Sequence, residues 1–301
     1  MILLLGIAAT RAALAQSDLD WKPCQADDAD EAAIAACTRL IDTEKLDHVD
    51  HVDRVTAYYY RGAAYWRKRD YDRAVADENT AIEIDPNYAN AYMRRGASYA
   101  GKGDYARANA DESKAIELDP KNVRAYSNRG NHRDRKGDYA GAIADTTKAI
   151  EIDPKFPNAY AVRAHVYARK GDNERAIADA SRAIEIDPKF LYAYRVRGPA
   201  YANQGDYDRA IADYSKPIEI DPKNAFNYRI RGRAYLFQGD NDRAIADFAK
   251  QIELDPNNAD AYRDRSIGYA GKHDNAAALA DYNKAIELTK QQIETREQQL
   301  Q

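Results

Sequence analysis

Two columns of opposite charge are the first candidates for chemistry in this 301-residue chain. Arg61, Arg95, Arg129, Arg163, Arg197, Arg231 and Arg265 recur at strict 34-residue spacing. Asp77, Asp111, Asp145, Asp179, Asp213, Asp247 and Asp281 do the same. In the stretch AYMRRGASY, Ala91 to Tyr99, the residues Tyr92, Arg95, Gly96 and Tyr99 fall at i, i+3, i+4 and i+7. That is the inward stripe of an amphipathic helix. An arginine inside it is either a ligand site repeated seven times or an internal device. A guanidinium meets a carboxylate through two hydrogen bonds and keeps donors to spare for hydroxyls or carbonyls. The two columns therefore predict an Arg–Asp ladder along a helix-pair seam. The period leaves open whether each arginine takes the aspartate of its own unit or of a neighbour.

Other reactive residues form no such pattern. His48 and His51 lie in the tandem DHVDHVD and could share a metal with a carboxylate. No third histidine stands nearby, so no metal site is assigned. The acidic run ADDADE, Ala26 to Glu31, lacks the glycine of a calcium loop. His132, His165 and His273 are isolated. No Gly-rich phosphate loop, G-x-S-x-G or H-E-x-x-H is present, so neither catalysis nor a cofactor is expected.

The elements that must position the two columns follow from the period. Asp-Pro recurs at Asp85, Asp119, Asp153, Asp187, Asp221 and Asp255, each followed by proline. Cutting on it gives seven units, 55–88, 89–122, 123–156, 157–190, 191–224, 225–258 and 259–292. Each reads as two helices. In the second unit, a first helix over roughly 90–102 is broken at Gly103, and Asp104 caps the next. The second helix stops before Pro120, whose ring disfavours a helical residue in front of it. Small residues at Gly96 and Ala108, repeated in every unit, let the paired helices approach closely. Pro199 and Pro217 fall inside helices of one unit, where each predicts a kink or a loss of about 3 kcal/mol.

Composition agrees with an elongated array. Hydrophobic content is 45%, but alanine and tyrosine supply much of it, which suits many thin cores better than one large one. With 23 Tyr against 5 Phe, much buried aromatic surface carries a hydroxyl in need of a partner. A net charge of −4 does not favour nucleic acid or an anionic membrane as the main partner.

The pattern Tyr92-x2-Arg95-Gly96-x2-Tyr99, followed by Ala108, Ala115 and Pro120, resembles the tetratricopeptide repeat. The resemblance covers residues 55–288, with tyrosine in place of the usual tryptophan and arginine in place of leucine. It implies an all-α fold, a right-handed superhelical solenoid of antiparallel helix pairs. First helices would line a concave groove that binds peptide segments of partners. On that basis the groove-facing column reads Tyr59, Met93, Ser127, Ala161, Arg195, Arg229, Arg263. Arg233 lies one turn on, and Tyr192 and Phe226 precede the arginines on the same face. A basic stripe with aromatic edges suits an acidic peptide or a terminal carboxylate; a solvated charged face is the alternative. The carboxylate clamp of chaperone-binding relatives is not found.

The two ends depart from the repeat. Residues 1–15 read as a signal peptide, with Ile2 to Ala9 apolar and Ala13-Leu14-Ala15 before Gln16. No basic residue precedes the apolar run and Arg11 follows it, which leaves a cytosolic N-terminus as the alternative. The run is far shorter than the ~20 residues of a membrane span. Residues 16–54 read as a degenerate capping repeat: EAAIAACTRLI, Glu31 to Ile41, resembles DRAIADYSKPI, Asp208 to Ile218. In that register Cys24 and Cys37, the only cysteines, occupy facing inward places. A disulfide there would staple the cap and place the chain in the periplasm or outside the cell. Residues 293–301 read as a helical extension of the seventh unit. The expected function is a non-enzymatic scaffold for a protein or peptide partner. A self-assembling, homo-oligomeric solenoid is the alternative, and an enzyme with an unrecognised site is a further one.

Overall fold

The computed structural model describes residues 21–27, 30–43 and 51–300. The predicted signal segment 1–15 and His48 lie outside the described residues. All regular structure among the described residues is helical. A helical turn at 21–24 precedes α1 (Asp30–Thr43). The first helices of the seven units are α2 (His51–Arg67), α4 (Ala89–Gly101), α6 (Val123–Arg135), α8 (Pro157–Arg169), α10 (Leu191–Asn203), α12 (Ala225–Gln238) and α14 (Ala259–Gly271). The second helices are α3 (Tyr71–Ile84), α5 (Tyr105–Leu118), α7 (Tyr139–Ile152), α9 (Asn173–Ile186), α11 (Tyr207–Ile220), α13 (Asn241–Leu254) and α15 (Asn275–Leu300). The chain forms two compact units, one up to Pro154 and one from Lys155.

Local chemistry sets each boundary. The second helix opens on an aspartate whose carboxylate accepts a backbone N–H three residues on, as Asp104 does from Arg107 at 3.0 Å. The residue before that aspartate is left-handed. It is glycine in five units, Gly103 with φ +80° among them, while Arg69 and His273 take the same conformation in the first and seventh. At the far end, the Asp85 carboxylate accepts the Asn87 N–H at 2.9 Å and turns the chain. Tyrosine hydroxyls find their partner at these turns: Tyr92, Tyr194 and Tyr228 donate to the carbonyls of Pro86, Pro188 and Pro222 at 3.1–3.2 Å.

Within each compact unit, consecutive helices pack through small residues. Ala74, Ala81, Ala108 and Ala115 are fully buried, as are Ala176, Ala183, Ala210 and Ala244. A Cβ on Gly232 would lie 2.8 Å from the Phe248 ring, and one on Gly198 would lie 2.6 Å from Tyr214. Helices α10 and α11 run through Pro199 and Pro217 unbroken, where the sequence predicts a kink or a loss. Pro199 and Arg195 are both exposed, so the carbonyl that loses its donor sits beside water. Pro217 fills the buried place that alanine holds in α9.

The capping repeat is held covalently. Cys24 and Cys37 form a disulfide, S–S 2.11 Å with Cα atoms 4.8 Å apart. Around it Ala36, Leu40 and Ile41 bury against Ala57 of α2, with Trp21, Tyr58 and Tyr60 at the edge. Arg67 ties the end of α2 to the cap, donating to Asp30 at 2.5 Å, Asp27 at 2.8 Å and the Ala26 carbonyl at 3.1 Å. At the other end α15 spans 26 residues against 14 in α13, running through the predicted extension.

Candidate functional site

Each ladder arginine pairs with the aspartate of its own unit, sixteen residues on. Nε and Nη2 donate to the two carboxylate oxygens at 2.7–2.9 Å from Arg61 to Asp77, Arg95 to Asp111 and Arg129 to Asp145. The same fork joins Arg163 to Asp179, Arg197 to Asp213, Arg231 to Asp247 and Arg265 to Asp281 at 2.7–2.8 Å. The aspartates are 3–9% exposed. Hydrogen bonding to Asp111 holds the Arg95 guanidinium above its ordinary pKa, against the opposing effect of burial.

The third donor reaches backward. Nη1 of Arg95 donates to Asn79 Oδ1 at 2.7 Å, and Nη1 of Arg129, Arg197 and Arg231 to the hydroxyls of Ser113, Ser181 and Ser215 at 2.9–3.1 Å. Each of these acceptors lies sixteen residues earlier, on the second helix of the preceding unit. Arg61 reaches Thr38 of the cap in the same way, at 3.1 Å. Tyrosine rings three residues before each arginine lie 5.4–6.0 Å from its guanidinium carbon. The two-bond forks commit these guanidinium groups to the buried aspartates of their own units.

The predicted groove column behaves differently along its length. Met93 is 9% exposed, and Ser127 and Ala161 are fully buried. Arg195 and Arg263 are exposed, as is Phe226, at 61%. Tyr192 is half-buried, its ring 6.2 Å from His165 and 6.3 Å from Phe190. Arg229 is engaged: it donates to Asp264 at 3.1 Å and Asp260 at 2.9 Å, and its side chain is only 20% exposed. Arg233 forks onto Asp264 at 2.8 and 2.9 Å, and Arg263 pairs with Asp260 at 2.6 Å. The expected basic stripe is therefore interleaved with two carboxylates of α14. Of these four arginines, Arg195 is the one with no carboxylate partner among the described residues.

Asp260 and Asp264 escaped the sequence reading. The signal was available: Asp264 stands one residue before the ladder arginine Arg265, where Val196 and Ile230 precede theirs. An acid in that place, 3% exposed, requires a partner. Two further carboxyl groups were also missed. Glu78 and Glu112 are fully buried opposite Gly62 and Gly96. Glu78 Oε2 accepts the Ser98 hydroxyl at 3.1 Å and Glu112 Oε1 accepts the Asn128 amide at 3.2 Å. Their other oxygens have no partner. Burial pushes Glu78 up to about 8 and Glu112 well above the usual carboxylate range.

Known proteins point the same way as this geometry. Tetratricopeptide repeat models match residues 31–89 and 162–225, a further TPR repeat model matches 135–171, and a third matches 89–122 and 230–258. No curated protein matches the chain. A crystal structure of MamA protein is 25% identical, covering 57% of this chain and 94% of its own, with a TM-score of 0.53. A tetratricopeptide repeat protein from Parabacteroides merdae is 20% identical over 78% of this chain and 93% of its own, TM-score 0.55. The structure of the APC/C hetero-tetramer Cut9-Hcn1 is 15% identical over 92% of this chain and 53% of its own, TM-score 0.63. The last two likenesses are of fold.

Proposed function

Since the chain belongs to the tetratricopeptide repeat family, we propose that it is a non-enzymatic protein-interaction scaffold that captures an acidic peptide segment on the first-helix face around Arg195, Arg263 and Phe226. The observation that carries this reading is the contrast between two sets of arginines. Every ladder arginine is forked onto a buried aspartate, whereas Arg195 and Arg263 are exposed, as is Phe226 on the first helix between theirs. A carboxylate-bearing segment would meet guanidinium forks at Arg195 and Arg263, with Phe226 and Tyr192 supplying apolar contact. Arg229 and Arg233 complete the set, shared between such a ligand and Asp260 and Asp264.

The Cys24–Cys37 bond supports a location in an oxidising compartment, the periplasm or the exterior, because such bonds persist there. Among the described residues no helix is long and apolar enough to cross a membrane. The test of the binding reading is fluorescence anisotropy with a labelled glutamate-rich peptide as probe. Arg195→Glu with Arg263→Glu should weaken binding at least about tenfold at low salt. Equal affinity of the reversed and native proteins would reduce the face to a solvated surface.

A further inference from the structure

Helix α10 lacks one backbone donor in the middle of the proposed face. Among the described first helices it alone carries a proline in its interior, Pro199, and it stays helical from Leu191 to Asn203. Proline has no N–H, so the carbonyl four residues earlier, that of Arg195, loses its helical donor. In α12 and α14 the corresponding carbonyls belong to Arg229 and Arg263, and Arg233 and Ile267 stand four residues on with an N–H to give. Arg195 and Pro199 lie one turn apart on the same face, and both are exposed. Carbonyls on the solvent side of a helix tilt outward, and the proline ring crowds this one further. Pro217 supplies the contrast. It takes the donor from Asp213, and both residues are buried, so that gap is closed to a partner.

Arg195 therefore offers two unfilled groups of opposite kind. Its guanidinium, with no carboxylate partner among the described residues, donates; its carbonyl, with no helical donor, accepts. Side chains lean toward the start of a helix and carbonyls point toward its end, so the two groups are set apart along the axis. A carboxylate alone fills the first and is repelled by the second. A chain that carries a carboxylate and, further along, a free backbone N–H fills both. A helical ligand has no such N–H beyond its first turn, because its amides are spent on its own carbonyls. An extended segment presents a row of them.

We infer that Pro199 turns the Arg195 carbonyl into an acceptor for a partner's main chain, so that the acidic segment binds extended, with a carboxylate on the Arg195 guanidinium and a backbone N–H on the Arg195 carbonyl. This rests on the peptide-binding reading above and adds to it the conformation of the ligand and the residue that selects it. The experiment is a cycle in the anisotropy assay. The glutamate-rich probe, and the same probe N-methylated at its backbone amides, are titrated against the native protein and against Pro199→Ala. Alanine returns an N–H to the Arg195 carbonyl and suits a helix better than proline, so the variant should melt no lower than the native chain. Methylation should cost the native protein at least about threefold more affinity than it costs Pro199→Ala. Contacts of the proline ring itself do not depend on the probe's amides and cancel in that comparison. An equal cost of methylation to both proteins would overturn the inference and leave peptide binding in place. Failure of the unmethylated probe to bind the native protein would remove the binding reading and this acceptor site with it.

Discussion

Ser98 donates its hydroxyl to Glu78 at 3.1 Å, and among the described residues this is the only hydrogen bond to a carboxyl group buried between three helices of the N-terminal compact unit. The groups with charge around it are Arg94, Arg95 and Asp77. Their attraction does not offset desolvation, so Glu78 is held neutral up to about 8. Glu112 repeats the arrangement one unit on, facing Asn128, Asp111 and Arg129. The unfolded chain ionises both near the usual 4.5. Stability is therefore full below that value and is lost as pH rises through it toward 8 and above. His132 acts oppositely: burial lowers it to about 4, so the folded state disfavours its protonation below about 6.5. Denaturant melts at pH 5, 7 and 9 should show the alkaline loss. Glu78→Gln with Glu112→Gln should flatten it, since the amides cannot ionise.

The ladder predicts directional coupling. Removing Asp213 strands the Arg197 guanidinium and should destabilise the chain by about 3–5 kcal/mol. A double-mutant cycle between Arg197 and Asp213 should show coupling of about 2–3 kcal/mol, and one between Arg197 and Ser181 well under half that. A cycle between Arg197 and Asp179, the aspartate of the preceding unit, should show none. Strong coupling in that last cycle would contradict the own-unit pairing.

Reduction of the Cys24–Cys37 bond opens a loop whose ends are 13 residues apart. The loss should be about 3 kcal/mol on loop-closure grounds. It should be local. Hydrogen exchange under a reducing agent should accelerate in α1 and at its contacts with α2, while α12 to α15 keep their protection.

Asp260 pairs with Arg229 and Arg263 and would compete for them with the acidic segment proposed above. Its side chain is 42% exposed, and Asp264 still holds Arg229 and Arg233 when it is neutralised, so the cost to folding is small. Asp260→Asn should raise affinity for the glutamate-rich probe severalfold, and the gain should shrink at high salt. Unchanged affinity would mean that the probe does not use these arginines.

Much of the fold was legible because its determinants repeat. Asp-Pro turns, capping aspartates and the small residues at Gly96 and Ala108 recur with the period, and each specifies a boundary or a close approach by itself. The ladder columns were legible for the same reason, but their pairing was not. Identical spacing in both columns says nothing about which copy meets which, and only the relative placement of the two helices decides it. The Asp260–Asp264 pair and the buried glutamates were opaque for the opposite reason. They occur once or twice, in columns that otherwise vary, such as Ile230, Val196 and Asn128 for Asp264 or Thr146, Ala180 and Tyr214 for Glu112, and a pattern built on recurrence discounts them. Pro199 misled because helix-breaking arguments assume an interior site, whereas it lies on the face open to water.

The backward bond of Arg61, Arg95, Arg129, Arg197 and Arg231 joins one repeat to the previous one, and within the C-terminal compact unit Arg265 lacks it. Sixteen residues before Arg265 stands Ala249, which has no acceptor to offer. At that same seam Arg229 and Arg233 of α12 reach across to Asp260 and Asp264 of α14. One latch has been exchanged for another, set between the first helices α12 and α14 instead of between a first helix and the preceding second helix. Its consequence is mechanical: an anion that drew Arg229 and Arg233 away from α14 would also loosen the last repeat, and binding at the proposed face would then be linked to fraying of the C-terminal end.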